Sequence, residues 1–301
     1  MEPNSQILED IERHAVIVAN SAGELIEKYF HSTFDINYKS EGSSDPVTTA
    51  DIEADLLIRN LIKEKFPDHS IISEENEAHI VSNADYCWVI DPLDGTNNFL
   101  NKFPFHSISI GILFKGQPIV GVILLRNLPW QPSSIIRARK GNGTFLDDQK
   151  VNVVSNNEPL QTGLANIRFA RSRYKAKRDL AKNTGDFRSI GSTAYEISLI
   201  ATSSLQLAVF NHPKIWDIAA GITIVKEAGG EIMMEVKPNK WITSPTVFLN
   251  SEFDTYPTLY NWNLSILAGP SNLIDYVSKN IKRRSFLDMF IRRTRWKLGL
   301  T

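Results

Sequence analysis

The sequence predicts a layered fold of α/β type, α+β in its first half, on three observations. Apolar residues recur at helical spacing from Gln6 to Phe30, a strand-rich stretch runs to about residue 150, and strands alternate with helices beyond it. The first two patterns predict an antiparallel sheet flanked by two helices; the third predicts an α/β half. At 301 residues the chain suits one large domain or two fused subdomains, read as 1–150 and 151–280 with a tail at 281–301.

Each element has a local reason. Ile7, Ile11, Ala15, Val18, Ala22, Leu25 and Tyr29 form one helical stripe, the first helix. The segment Lys39 to Pro46, polar and rich in structure breakers, reads as a mobile loop. Thr48 or Thr49 then caps a second helix reaching about Lys65, with Asp51 in its first turn and Pro67 beyond its end. Ile71-Ile72 and Trp88-Val89-Ile90 read as short buried strands that deliver Glu74 and Asp91 at their C-terminal ends. His106 to Phe114 and Ile119 to Leu125 are strand-like around a Lys-Gly-Gln-Pro turn, and Ile135 to Arg139, Gly143 to Leu146 and Val151 to Val154 are further short strands. A basic segment, Arg168 to Arg178, precedes Gly191-Ser192-Thr193 and a helix from Ala194 to Ala201. Leu205 to Phe210 reads as a strand, Asp217 opens a helix ending near Gly229-Gly230, Val247 to Leu249 is a strand, and a last helix starts at Asn272.

Composition narrows the function classes. Hydrophobic residues at 42% and charged residues at 22% are those of a soluble globular protein, and a net charge of -1 carries no overall nucleic-acid or membrane signature. The charge is uneven: residues 279–297 hold eight Lys or Arg and the single acid Asp288, so they carry +7 and the remainder -8. No apolar run approaches bilayer length and Met1 to Asp10 lacks the apolar stretch of a signal peptide, so the expected compartment is the cytoplasm. The single cysteine, Cys87, excludes an internal disulfide and a Cys-based zinc site, and within Tyr86 to Ile90 it reads as a buried core thiol.

Three separated segments offer hard carboxylate oxygens: Ser73-Glu74-Glu75, Asp91-Pro92-Leu93-Asp94-Gly95-Thr96 and Trp216-Asp217. Mg²⁺ sites attached to phosphates are built from such ligands. Asp91 and Asp94, three apart in a tight Pro-containing turn, can aim at one pocket; the Leu93 carbonyl is a further hard donor, and Glu74 and Asp217 complete the set. Phosphate-ester hydrolysis needs charge neutralisation, an activated water and an assisted leaving group, which two metal ions about 3.5–4 Å apart supply. Clustered without a dication these acids repel one another, and some of their pKa values rise. Gly95 admits an anion close to the backbone, and Thr96 opens a short helix whose first amides suit a phosphate. The Thr96 hydroxyl, hydrogen-bonded to Asp51, would orient or deprotonate the attacking water. Each residue also has an ordinary reading: Asp-Pro and Asp-Gly are turn dipeptides, Asp217 and Asp51 suit helix starts, and Glu74 and Glu75 suit a solvated loop. The conjunction, in order, points to a metal-dependent phosphatase.

Those residues resemble the inositol monophosphatase family of Mg²⁺-dependent, lithium-sensitive phosphatases. The likeness runs from about residue 7 to 280 through DPVTTAD at 45–51, SEE at 73–75, DPLDGTNNFLNKFPF at 91–105, GST at 191–193 and WDIAAGITIVKEAGG at 216–230. The resemblance implies an αβαβα sandwich and hydrolysis of a small sugar, polyol or nucleotide phosphate by metal-activated water. By position it implies Glu74, Asp91 and the Leu93 carbonyl as ligands of a first Mg²⁺, and Asp91, Asp94 and Asp217 as ligands of a second. A third, weaker ion near Glu74, a water-activating pair Asp51 and Thr96, and a phosphate cradle at Gly95 and Thr96 also follow. Gly191, Ser192 and Thr193 match the stretch that contacts the substrate's alcohol portion, and a homodimer is the expected assembly.

One position departs. Inositol-hydrolysing members usually carry a Glu seven residues before the last metal Asp; here it is Phe210, which accepts no hydroxyl hydrogen bond. The basic residues Arg168, Arg171, Arg173, Lys175, Lys177, Arg178 and Arg188 suit either a second substrate phosphate or a solvated surface helix. A bisphosphate substrate, fructose 1,6-bisphosphate or 3′-phosphoadenosine 5′-phosphate, is the alternative. His212 and Lys214 suit the substrate mouth or a plain loop. From Lys282 on, an amphipathic helix with Leu287, Phe290, Ile291 and Leu298 on one side would meet a membrane surface, an acidic partner, nucleic acid, or the protein's own acidic body. A regulatory binding protein acting through that tail is the competing function.

Overall fold

The computed structural model of the chain describes residues 3–31, 36–38, 46–126, 133–155, 163–166, 173–177, 180, 185–243, 248 and 255–285. Helix α1 (Ser5–Phe30) starts where the Asn4 side chain accepts the Gln6 N–H at 3.0 Å, and it buries Leu8, Ile11, Ala15, Val18, Ala22 and Ile26. Strands β1 (Ile36–Tyr38) and β2 (Pro46–Thr48) pair antiparallel; the remainder of the loop read at 39–46 lies outside the described residues. Helix α2 (Thr49–Lys65) opens on a reciprocal cap: Asp51 Oδ2 accepts the Thr48 N–H at 2.8 Å, and Thr48 Oγ1 accepts the Asp51 N–H at 3.3 Å. That cap fixes Asp51, 1% exposed, at the helix start.

The first sheet has seven strands in sequence order: β3 (Ser70–Ser73), β4 (Tyr86–Asp94), β5 (Ser107–Phe114), β6 (Gln117–Arg126), β7 (Ser133–Arg139), β8 (Gly143–Leu146) and β9 (Gln149–Val151). Only β3 and β4 run parallel. A short helix, α3 (Thr96–Leu100), leaves the end of β4. Alternation along the strands sends Trp88, Ile90, Ile108, Ile110, Val120 and Val122 toward α1 and α2. Cys87, Val89, Ile123, Leu125, Ile136 and Ala138 face the other way. There they pack on α4 (Thr193–Ala201) and α5 (Ile215–Glu227).

The second sheet covers the far side of those helices. Its strands are β10 (Leu164–Asn166), β12 (Asp186–Phe187), β13 (Leu207–Phe210), β14 (Glu231–Lys237), β15 (Lys240–Thr243) and β16 (Ile266–Gly269), in the order β12-β10-β13-β16-β14-β15. Leu207, Val209 and Leu267 on its outer face pack against Leu273, Ile274 and Val277 of α6 (Ser271–Asn280). Three apolar clusters thus fill the four interfaces of five layers, helix, sheet, helix, sheet, helix, the central one reaching both sheets across α4 and α5, as the expected αβαβα sandwich requires.

Gly111 and Gly121 stand opposite each other on β5 and β6, under α5. A Cβ on Gly121 would lie 2.2 Å from the Ala220 carbonyl oxygen, and one on Gly111 would lie 2.7 Å from the Ala219 Cβ. The helix therefore rests on bare backbone.

Several local expectations change. Asp91 to Asp94 is not a tight turn: β4 continues through it, with an irregularity in the pairing to β5 that accommodates Pro92. The α5 helix begins at Ile215, two residues before Asp217. The basic segment is not a surface helix where it is described: β11 (Tyr174–Ala176) pairs antiparallel with β17 (Ile281–Arg283) and buries Tyr174 and Ile281. The same pairing makes the expected tail begin as a strand docked on the body, with no helix at Lys282. Arg168, Arg171 and Arg178, and the tail from 286 to 301 with Leu287, Phe290, Ile291 and Leu298, lie outside the described residues. Of Val247 to Leu249 only Phe248 is described, 2% exposed in the core. Cys87 is fully buried, which pushes its thiol pKa up. No described helix is long and apolar enough to cross a membrane.

Candidate metal centre

Three segments far apart in sequence meet at the C-terminal end of β4. Glu74 follows β3, whose parallel pairing with β4 sets it beside Asp91; the Glu74 N–H reaches the Ile90 carbonyl at 3.2 Å. Asp217 arrives on the first turn of α5. One carboxylate oxygen each from Glu74, Asp91 and Asp217 lies within 4.8 Å of the others.

Strand β5 spaces the cluster. Ser109 stands opposite Asp91, and its hydroxyl donates to the Trp216 carbonyl at 3.0 Å, next to Asp217. Ser107 stands opposite Asp94; its hydroxyl lies 2.9 Å from Ser192 Oγ and 3.4 Å from Asp94 Oδ2. Both serines are fully buried, so their hydroxyls need these partners.

Structural bonds engage particular oxygens of these carboxylates. Asp91 Oδ1 accepts the Leu93 N–H at 3.0 Å, Asp94 Oδ2 accepts the Ser192 hydroxyl at 2.7 Å and the Ala194 N–H at 2.6 Å, and Asp217 Oδ2 accepts the Lys214 N–H at 2.8 Å. The capping role read for Asp217 is therefore real, and these bonds orient the side chains without excluding a ligand role. Burial, joined by the charges of Glu74, Asp94 and Asp217, holds Asp91 well above the usual carboxylate range. Burial also pushes Asp94 up to about 6 against its hydrogen bonds, and raises Asp217 with help from Asp94. A crowded all-oxygen donor set whose protonation is driven by burial and mutual repulsion fits a hard dication such as Mg²⁺.

The Thr96 hydroxyl lies 3.2 Å from Asp51 Oδ1 and 3.1 Å from the Leu93 carbonyl, both acceptors for its single proton. Burial raises the Asp51 pKa against the hydrogen bonds from Thr48 and Thr96. Gly95 has φ 95° and no side-chain cap; a Cβ there would meet Ser192 Cβ at 3.1 Å. Gly95 thus abuts the Gly191-Ser192-Thr193 stretch, where Ser192 caps α4 through the Tyr195 N–H at 3.2 Å. Phe210 ends β13 at 6% exposure among the residues of the central core.

Four supporting residues escaped the sequence reading. Asp55, fully buried, accepts from Ser73 Oγ and Asn76 Nδ2 and lies 3.8 Å from Arg59, so it grips both sides of Glu74. Its signal is the i, i+4 spacing from Asp51 on one helix. Glu196 accepts the Ile190 and Gly191 N–H groups and the Asn166 amide, and burial raises its pKa. Ser107 and Ser109 carry a signal too: polar residues two apart in an otherwise apolar strand.

The model of the inositol monophosphatase family matches residues 7–260. The Nus factor SuhB of Pasteurella multocida is 33% identical over 224 residues, 72% of this chain and 82% of that one. The fructose-1,6-bisphosphatase/inositol-1-monophosphatase of Aquifex aeolicus is 30% identical over 230 residues, 74% and 85% of the two chains. Among solved structures, the IMPase of Thermotoga maritima superposes with a TM-score of 0.70 at 26% identity, covering 90% of this chain and 96% of that one. With its layers, its acidic cluster and these likenesses in agreement, the chain belongs to the inositol monophosphatase family.

Proposed function

We propose that the protein is a Mg²⁺-dependent phosphomonoesterase acting on a small sugar, polyol or nucleotide phosphate. The observation that carries this is the convergence of Glu74, Asp91 and Asp217 from three elements within 4.8 Å. Glu74, Asp91 and the Leu93 carbonyl would hold one ion, Asp91, Asp94 and Asp217 a second, with Glu74 open to a weaker third. Bound dications supply charge neutralisation and a more acidic water. The chain's own residues do the rest. Gly95 and Thr96 offer their amides to the phosphate. Thr96 would take up a proton from the attacking water as it passes its own hydroxyl proton to Asp51, which lies 3.2 Å away. Ser192 and Thr193 face the alcohol portion beside Gly95. The test is phosphate release from inositol 1-phosphate, fructose 1,6-bisphosphate, adenosine 3′,5′-bisphosphate and histidinol phosphate, with Mg²⁺, with EDTA and with lithium. Turnover of one compound that EDTA abolishes and lithium lowers is expected; equal turnover in EDTA overturns the reading.

A bisphosphate substrate is the second reading, favoured by one contact. Arg173 Nη1 meets His212 Nε2, so a basic residue reaches the loop that leads from Phe210 to Asp217. The Aquifex relative's name is consistent with it. A regulatory role, in line with the Pasteurella relative's name, is separable: Asp94→Asn should remove hydrolysis and keep partner binding, and deletion of 286–301 should do the reverse. A cytoplasmic homodimer is the proposed form, checked by sedimentation.

A further inference from the structure

One side chain joins two parts of the candidate site that lie 92 residues apart in sequence. Asn98 stands on α3, and its Nδ2 donates to the Phe105 carbonyl at 2.6 Å and to the Ile190 carbonyl at 2.7 Å. Carbonyl oxygens only accept, so both amide protons are spent there and the orientation of the side chain is fixed. The N–H side of the same stretch is held from the opposite direction. Glu196 Oε1 accepts the Ile190 N–H and, at 3.2 Å, the Gly191 N–H, while Glu196 Oε2 accepts the Asn166 amide. Glu196 is 3% exposed, so water competes little for these bonds.

The packing is as close as the bonding. A Cβ on Gly191, whose φ is 89°, would meet Asn98 Oδ1 at 3.2 Å and Nδ2 at 3.3 Å. A Cβ on Gly95 would meet the Phe105 carbonyl oxygen at 3.3 Å and the Gly191 carbonyl oxygen at 3.5 Å. Gly95, the Asn98 amide and the 190–191 peptide therefore move as one unit, and Ser192 and Thr193 follow directly. We propose that Asn98 is a positioning residue for substrate recognition, with Glu196 as its counterpart, a role that rests on the proposed phosphatase activity. Together they set the span from a phosphate at Gly95 and Thr96 to an alcohol portion at Ser192 and Thr193, and so select the esters that fit. Both act through backbone they hold, so their effect falls on binding of the whole ester more than on the chemical step.

Steady-state kinetics of the full chain with Mg²⁺ test this, with inorganic phosphate as competitive inhibitor. The substrate is whichever of inositol 1-phosphate, fructose 1,6-bisphosphate, adenosine 3′,5′-bisphosphate and histidinol phosphate it hydrolyses fastest. Inorganic phosphate needs only the cradle and the metals; the ester also needs the span. Asn98→Ala should raise KM about tenfold, with the Ki of inorganic phosphate within about twofold and kcat within about threefold of wild type. KM and Ki do not depend on the fraction of enzyme that is folded, so partial unfolding alone moves neither. Glu196→Ala frees the other side of the stretch and should raise KM in the same way. Glu196→Gln keeps an acceptor for both N–H groups and should bring KM back to within about twofold of wild type, and this pair decides the matter if Asn98→Ala does not fold. An unmoved KM in folded Asn98→Ala, a Ki that rises along with KM, or the same KM in Glu196→Gln and Glu196→Ala would each overturn the proposal. A wild type that releases no phosphate from any of the four compounds overturns the phosphatase reading, and this role with it.

Discussion

Asp94 accepts the Ala194 N–H at 2.6 Å, so one carboxylate of the first sheet caps a helix in the next layer while its charge belongs to the acidic cluster. Asp94→Asn keeps the size and an acceptor oxygen but removes the charge. Turnover should fall by about 10³-fold or more, because a neutral amide is a poor ligand for a hard dication and leaves the second ion without a carboxylate that holds it in place. Stability should fall by no more than about 1–2 kcal/mol, measured by denaturant unfolding.

Metal should stabilise the fold, and more so at higher pH. Asp91, Asp94 and Asp217 all have raised pKa values, Asp94 near 6, so below that pH protons occupy the sites a dication needs. Thermal melts with saturating Mg²⁺ should rise clearly at about pH 7.5, by the equivalent of about 2.7 kcal/mol at a hundredfold excess over Kd, and little at about pH 5. An equal rise at both would rule out these carboxylates as the ligands.

Asp55 should act on metal affinity, not on the chemical step. It holds Ser73 and Asn76 on either side of Glu74, and the Tyr260 hydroxyl steadies the same loop, 2.9 Å from the Ser73 carbonyl oxygen. Asp55→Ala should raise the Mg²⁺ concentration for half-maximal activity about tenfold, with kcat at saturating metal within a few fold of wild type. A loss of kcat that metal does not rescue would place Asp55 in the chemistry instead.

At Phe210, substitution by Glu tests substrate choice. The side chain is buried at the end of β13, before the loop to Asp217, and offers no acceptor to a polyol. Phe210→Glu should raise kcat/KM for inositol 1-phosphate at least about tenfold relative to the preferred substrate. An unchanged ratio in a folded variant would show that this position does not read the alcohol.

How much of this was legible follows interaction range. The two N-terminal helices, with the Thr48–Asp51 cap, rest on spacing and local hydrogen bonds, which the sequence displays directly. The Asp51–Thr96 contact and the convergence of Glu74, Asp91 and Asp217 followed from motif order and are present as geometry. The pairing of Tyr174–Ala176 with Ile281–Arg283 was hidden, because three-residue strands have almost no periodicity and these two are remote in sequence. Lys and Arg at their exposed positions made the first look like a solvated helix and the second like the start of an amphipathic one. Ser107 and Ser109 were missed for the opposite reason: serine is common, and only the opposing strand reveals what each hydroxyl orients.

Buried histidines should make the protein sensitive to acid. Burial lowers His69 and His106 to about 4, and Trp88 Nε1–H donates to His69 Nδ1 at 3.0 Å, which a protonated ring cannot accept. The unfolded chain binds protons below about pH 6.5 that these folded rings refuse, so their contribution is full above that pH and is lost as pH falls toward 4. Denaturant unfolding from about pH 7 to 4.5 should show this loss, and His106→Phe should flatten it. Imidazole NMR giving ordinary pKa values for both rings would refute it.

The separation of Asp217 from Asp91 depends on two hydrogens. Helix α5 carries Asp217 and lies against Gly111 and Gly121, while Ser109 ties its first turn to the strand opposite Asp91. A methyl group at either glycine would lift the helix like a shim under a bearing, and the carboxylate would travel with it. Evolution can therefore tune or disable the acidic cluster from a place that carries no charge and none of its carboxylates, and drift at those two glycines is limited by alignment as much as by stability.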